Sequence, residues 1–147
     1  MLLTEARFTA TTGAVVTDEA GRVLLLHHPY RPGSGWGIPG GFMRPREDPE
    51  DALRRELREE IALEIEIPRV AFVRTLRRYQ QVEIIFLCRP CGDAGRERRG
   101  DAATEFRVPQ TLEVDRAAWF PLNSLPAGLS DDQREILRRA LTLPAGN

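Results

Sequence analysis

The chain of 147 residues contains no lysine, and all 21 of its basic side chains are arginine. That absence excludes a phosphate-loop lysine, a Schiff-base amine and a lysine general base. Serine is also scarce: only Ser34, Ser124 and Ser130 are present, none inside Gly-x-Ser-x-Gly, which argues against a hydrolase built on a nucleophile elbow. No apolar run approaches the roughly 20 residues that span a bilayer. A formal net charge of −1 removes the broad positive footprint that nonspecific nucleic-acid binding needs. Neither a membrane nor a nucleic-acid polymer is therefore the expected partner. Met1 to Ala10 carries no basic region leading into an apolar stretch and a small-residue cleavage site, so a cytoplasmic location is expected by elimination. The two cysteines form Cys88-Arg89-Pro90-Cys91. A structural zinc site needs two more ligands, which His27 and His28 would supply only if the fold brought them close, so reduced thiols are the expected state.

What is present is 41% hydrophobic and 29% charged, a balance that fits one domain over residues 1–147 with a buried core. Its chemistry must rest on carboxylates, arginines or a metal. Phe8 to Asp18 is rich in β-branched residues and ends in Asp18-Glu19-Ala20-Gly21, a turn into the apolar run Val23 to Leu26, which predicts a hairpin. Pro29 to Gly41 holds five glycines and three prolines, cannot be helical, and suits a backbone pressed close to a ligand. Asp48-Pro49-Glu50-Asp51 is a helix start, with Asp48 as N-cap, Pro49 at the first helical position and acidic residues facing the positive dipole end. That helix is expected to run to about Ile61. Strands are expected at about Ile65 to Arg77 and Val82 to Cys88, a long loop from Pro90 to Gln110, and a strand from Leu112 to Phe120. Ser130-Asp131-Asp132-Gln133 has the capping-box pattern, and Ile136, Leu137, Ala140 and Leu141 recur at helical spacing, so an amphipathic helix closes the chain. Strands interleaved with two helices predict an α/β class, with a mixed sheet and a helix packed against each face.

The first helix has three faces. At about 100° per residue, Glu56, Glu59 and Glu60 fall within roughly a 100° arc, Leu53, Leu57 and Ile61 form the adjoining stripe, and Arg54 and Arg58 point away. Like charges three and four residues apart repel by something like 0.2–0.5 kcal/mol per pair. A cation would relieve that repulsion. Upstream, Gly41 is followed after five residues by Glu47, and after seven more by Arg55-Glu56-Leu57-Arg58-Glu59-Glu60-Ile61-Ala62-Leu63.

This 23-residue segment, Gly41 to Leu63, resembles the signature box of the Nudix hydrolase family at all its charged positions. Trp36-Gly37-Ile38-Pro39-Gly40-Gly41 is similar to the family's lead-in, and Trp119-Phe120-Pro121-Leu122 with Leu125-Pro126 to its usual ending. Two positions depart: Ala62 stands where the family has glycine, and Arg46 where a glycine commonly precedes the first box glutamate. Alanine at position 62 is expected to strain a left-handed helix end.

The resemblance implies a Nudix-type α/β/α sandwich with a central mixed β-sheet, in which the box holds Mg²⁺, or Mn²⁺ in its place, against the diphosphate of a nucleotide-derived small molecule. It implies Glu56, Glu59 and Glu60, with a backbone carbonyl near Gly40, as metal ligands, an oxygen set that suits hard cations. It implies Arg55 as a residue held by Glu47 that steadies Glu56. The implied reaction is hydrolysis of a nucleoside diphosphate linked to another group. The general base stays open between Glu56 in the box and Glu105 or Glu113 outside it, with Glu113 preferred. Trp36 and Tyr79 are candidates to stack on a base, and Arg74, Arg77 and Arg78 to reach phosphates. Tyr79 lies 16 residues beyond Leu63, the spacing at which relatives acting on diadenosine polyphosphates tend to carry a tyrosine. That leans the reading towards diadenosine polyphosphates or nucleoside triphosphates. The alternative is a non-catalytic Nudix-like sensor or scaffold that binds a nucleotide without turning it over. A homodimer stays open as the assembly.

Overall fold

Apolar runs such as Val23-Leu24-Leu25-Leu26 form strands covered on both faces, and their side chains divide residue by residue between two cores. The computed structural model describes residues 6–92, 104–106, 108, 109, 111 and 113–142. In chain order the elements are β1 (Thr9–Val16), β2 (Val23–His27), β3 (Trp36–Gly37), β4 (Gly40–Phe42), α1 (Pro49–Ile61), β5 (Ile65–Leu76), β6 (Gln81–Pro90), β7 (Thr104–Phe106), β8 (Arg116–Phe120) and α2 (Asp131–Thr142). A single 3₁₀ turn, Arg77–Tyr79, joins β5 to β6. Ala14, Val16, Leu24, Leu26, Ala117 and Trp119 pack with Leu53, Leu57 and Ile61 of α1. Val15, Val23, Leu25, Ala118 and Phe120 pack with Ile136, Leu137 and Ala140 of α2 on the opposite side. The expected mixed sheet with a helix on each face is therefore the observed architecture. No helix among the described residues is long and apolar enough to cross a membrane.

The predicted hairpin is corrected by the strand order. β1 lies parallel to β6 and antiparallel to β4 in one sheet, ordered β4-β1-β6-β5, while β2 belongs to a second sheet, ordered β3-β2-β8-β7. The turn itself forms, closed by the single bridge Thr17↔Val23. Asp18 Oδ1 accepts from the N–H groups of Ala20 (3.0 Å) and Arg22 (2.8 Å), and its Oδ2 accepts from Arg22 Nε at 2.7 Å. Both charged side chains are buried. Local turn chemistry fixes the corner, but each strand buries both faces only by taking distant partners, so the two diverge.

The strand expected from Leu112 begins instead at Arg116, and the stretch expected as a loop from Pro90 to Gln110 contains β7, which pairs with Ala117 to Trp119. This short edge strand is held by its neighbour rather than by local propensity. Residues 93–103 of that expected loop lie outside the described residues.

Helix α1 has the expected bounds. Asp48 adopts extended backbone at the N-cap without a side-chain capping bond, and Pro49 begins the helix. The helix ends at Ala62, whose φ of 54° and ψ of 34° are left-handed. Arg46, the other departure from the box, has φ 65°. Both departures thus occupy backbone conformations that glycine adopts freely and that cost an L-residue about 1–2 kcal/mol. We expect Ala62→Gly to raise unfolding free energy by about 0.5–1 kcal/mol, the greater entropy of glycine in the unfolded chain offsetting part of the relief. Thermal unfolding checks this, and an unchanged or lower midpoint would contradict it.

Candidate active site

Three segments converge on a cavity of about 470 Å³: the loop carrying His28, Tyr30 and Arg31, the run Gly40–Phe42, and Glu56 and Glu60 of α1, with Glu113 closing one side. Helical spacing of four places Glu56 and Glu60 one above the other, facing this cavity. The glycines make the approach of strand to helix close. At Gly40 a Cβ would overlap the Thr12 carbonyl oxygen, and at Gly41 it would lie 2.6 Å from the Glu56 carboxylate.

Arg55 organises the charges beside the cavity. Its Nε and Nη2 donate to the two oxygens of Glu47 at 2.7 and 2.9 Å, a bidentate pair. Nη1 donates to Glu56 Oε1 at 3.0 Å and Glu59 Oε2 at 3.4 Å, and Nη2 also donates to the Phe42 carbonyl at 3.2 Å. Five acceptors match the five N–H groups of a guanidinium, so Arg55 retains no donor for a ligand. Glu47 also accepts the backbone N–H of Arg44 at 3.0 Å. These bonds, chiefly that from the Arg55 side chain, hold the Glu47 carboxyl down to about 2.

The inner carboxyls behave oppositely. Glu60 is 5% exposed and its Oε2 is buried without a hydrogen-bond partner. Burial first, then the Glu56 and Glu113 carboxylates, push Glu60 up to about 8, with Arg31 opposing. Burial also raises Glu56, against the pull of Arg55. An unpaired buried carboxyl oxygen costs about 1–3 kcal/mol. Two stacked carboxyls and a third across the cavity form a donor set that suits a hard cation. Glu59 is placed differently from the other two box glutamates: it sits half-exposed at the rim, paired to Arg55 and, at 3.5 Å, to Arg44. Among the described residues no three acidic, histidine or cysteine side chains already converge as a metal cage. The residues present therefore fit a cation through Glu56 and Glu60, with Glu113 opposite.

The residues expected to meet substrate are distributed otherwise. Trp36 packs edge-on against Phe120 (centroids 5.0 Å) and His27 (5.2 Å), with the Arg116 guanidinium 5.1 Å from its ring centre. It is committed to the α2 core and does not line the cavity, because β3 pairs with β2 and turns the indole inward. Arg74 is neutralised by Glu83 (2.8 Å) and by a two-bond pair to Asp132 of α2 (2.7 and 2.9 Å). Tyr79 stands exposed on the 3₁₀ turn, outside the cavity lining. Arg77 and Arg78 share that turn, and the Arg78 guanidinium lies 5.7 Å from the Tyr79 ring centre. Of the two further candidate bases, Glu113 lines the cavity, while the backbone of Glu105 lies on β7 opposite Ala118.

His28, Tyr30, Arg31 and Phe42 were not anticipated from sequence. Tyr30 is 84% and Phe42 60% exposed at the cavity mouth, an unusual placement for two aromatic rings. Arg31 faces Glu60, while burial pushes its own pKa down. Burial likewise lowers His28 to about 4, leaving it neutral near pH 7. The available signal was an aromatic beside an arginine inside the glycine- and proline-rich loop. The thiols of Cys88 and Cys91 form no disulfide with each other, Cys88 being buried and Cys91 partly so.

The NUDIX domain profile matches residues 7–140. Over 118 residues the chain is 35% identical to the 8-oxo-dGDP phosphatase NUDT18 of Homo sapiens, covering 79% of this chain and 33% of that protein. Over 57 residues it is 42% identical to an RNA pyrophosphohydrolase of Pseudomonas savastanoi pv. phaseolicola, covering 39% of this chain and 35% of that protein. The chain thus spans about a third of the length of each of these relatives. A NUDIX hydrolase structure from Nitrosomonas europaea superposes with a TM-score of 0.72 at 20% identity, over 91% of this chain and 70% of that one, which shows a shared fold.

Proposed function

The chain belongs to the NUDIX domain family, and on that premise we propose that it hydrolyses a phosphoanhydride bond in a nucleoside diphosphate linked to a further group. The observation that carries this reading is the unpaired, buried Glu60 oxygen stacked on Glu56 beside Arg31, an arrangement that suits a cation and a diphosphate together. Glu56 and Glu60 would hold Mg²⁺ or Mn²⁺, with the Gly40 carbonyl and, from the rim, Glu59. Bound there, the ion would supply charge neutralisation at phosphoryl oxygens and a more acidic water. Arg55, with its donors engaged, keeps Glu56 pointed at the cavity. Arg31 is the guanidinium placed to meet a phosphate oxygen in a bidentate pair. Glu113 is the preferred acceptor of a proton from the attacking water, with Glu56 as the alternative.

The mouth aromatics support a base-bearing substrate. Tyr30 and Phe42 take the stacking role first considered for Trp36 and Tyr79, so the lean towards diadenosine polyphosphates no longer has a cavity residue behind it. Stacking of a base on an aromatic ring is worth about 1–3 kcal/mol. Tyr30→Ala and Phe42→Ala are each expected to raise KM about 10-fold with kcat within about threefold, and steady-state kinetics on a base-bearing substrate checks this.

The reading as a whole is tested by phosphate release from a panel holding 8-oxo-dGDP, nucleoside triphosphates, a diadenosine polyphosphate and ADP-ribose, with Mg²⁺ and then Mn²⁺. Metal-dependent release from one or more supports hydrolysis. Binding of a panel member without release from any would favour the sensor reading instead.

A further inference from the structure

His27 and His28, adjacent at the end of β2, join no metal-holding cluster among the described residues, and they lie beside the segment that carries Glu113. His27 Nδ1 lies 2.6 Å from Asp115 Oδ1, and the Asp115 backbone N–H donates to the His27 carbonyl at 3.2 Å. At the other end of the segment, Glu113 lines the cavity together with His28. Between these anchors Val114 is fully buried, and its N–H donates to Thr111 Oγ1 at 3.0 Å. The His27 ring is in turn fixed by the edge of Trp36, which stacks under Arg116, the residue that follows Asp115. The chain leading into β8 has no regular structure from Glu113 to Asp115, so these contacts define where the Glu113 carboxylate stands.

We propose that His27 is a positioning residue, which with Asp115 clamps the 113–115 segment against β2 so that the Glu113 carboxylate stays in the cavity with Glu56 and Glu60. The assignment rests on the reading above in which Glu113 takes part in hydrolysis. A free loop would spread Glu113 over many positions, and a displacement of about 1 Å in a catalytic group can cost on the order of 100-fold in rate. The clamp therefore acts on turnover rather than on substrate affinity. The side-chain bond from His27 to Asp115 lies just beyond the last β2–β8 pair, His27 with Arg116, so breaking it loosens the segment without unpairing β2 from β8.

The test compares His27→Ala, Asp115→Ala, Asp115→Asn and Glu113→Gln on a substrate cleaved by the unmodified protein. Amide hydrogen exchange at Val114 and Asp115, measured without substrate, provides a readout independent of activity. Both alanine variants are expected to lower kcat about 10- to 100-fold with KM within about threefold, and to speed exchange at those amides at least tenfold. Asp115→Asn, which keeps the acceptor oxygen, is expected to stay within about threefold of the parent in both. Asp115 is partly exposed, so Asp115→Ala decides the question if His27→Ala fails to fold. Unchanged kcat and exchange in Asp115→Ala, together with an inactive Glu113→Gln, would overturn the clamp while leaving the role of Glu113 standing. Full activity in Glu113→Gln would overturn that role, and the clamp's catalytic purpose with it.

Discussion

Glu60→Gln is expected to lower turnover at least about 100-fold while leaving the metal-free protein more stable at alkaline pH. The two effects share one cause. The folded state holds the Glu60 carboxyl at about 8, well above its ordinary value near 4.5, because burial and two neighbouring carboxylates penalise its charge. The sign follows from linkage: the folded chain binds the extra proton, so stability is full below about pH 4.5 and declines as pH rises through 8. The decline is on the order of 1.4 kcal/mol per pH unit at most, less where solvent screens the group. Glutamine carries no charge and escapes it. Thermal unfolding in EDTA at pH 6 and pH 9 should show the parent losing several degrees on going to pH 9 and the variant losing little. A variant less stable than the parent at pH 9 would contradict a buried charge at this position. A cation must displace the same proton, so its apparent affinity should weaken up to about tenfold for each pH unit below 8. Titration of the parent with Mn²⁺ at pH 6, 7 and 8 measures that slope.

Arg55→Ala is the second large effect. Removing this guanidinium strands the carboxylates of Glu47, Glu56 and Glu59 and the Phe42 carbonyl at once. Breaking a well-buried pair costs about 3–5 kcal/mol. The Arg55 and Glu47 side chains keep some access to water, so about 2–3 kcal/mol is expected, read as a fall in the unfolding midpoint of several degrees. Turnover should fall about 100-fold as Glu56 loses its orientation. Arg55→Lys should recover little, because an ammonium cannot serve Glu47 in two bonds and Glu56 as well. The acid limb should change too. Glu47 is held near 2 in the parent, so its contribution is present above pH 4.5 and lost only as pH falls towards 2. In Arg55→Ala that contribution is gone throughout, and acid unfolding should begin at higher pH.

Much of this site was legible in the sequence because its signals are local. The Asp48-Pro49 start, the four-residue spacing of Glu56 and Glu60, and the two box positions where glycine was expected all depend on neighbours along the chain. The structure places left-handed backbone at both departures, Arg46 and Ala62. The unread parts depend on long-range pairing. Nothing within Phe8 to Leu26 indicates that β1 will seek β6 while β2 seeks β8. Gln133 illustrates the same limit. The capping-box pattern assigns its side chain to the start of α2, and its backbone N–H does meet Ser130 Oγ at 3.2 Å. Its side-chain oxygen instead accepts the N–H of Ile38, 2.8 Å away across the fold. Tyr30 and Arg31 were hidden for another reason: a loop dictated by glycine and proline has no periodicity from which to read the direction of a side chain.

Oily on both sides, β2 could slide one residue along β8 and merely exchange its two cores, so greasiness alone leaves the alignment degenerate. The latch between Asp18 and Arg22, immediately ahead of Val23, removes that ambiguity. A slipped strand would drag the guanidinium off its carboxylate and abandon an ion in the dry interior. The corner is thus the zero mark from which residues along β2 are counted, and His27 at its far end meets Asp115, and His28 the cavity, in phase because of it.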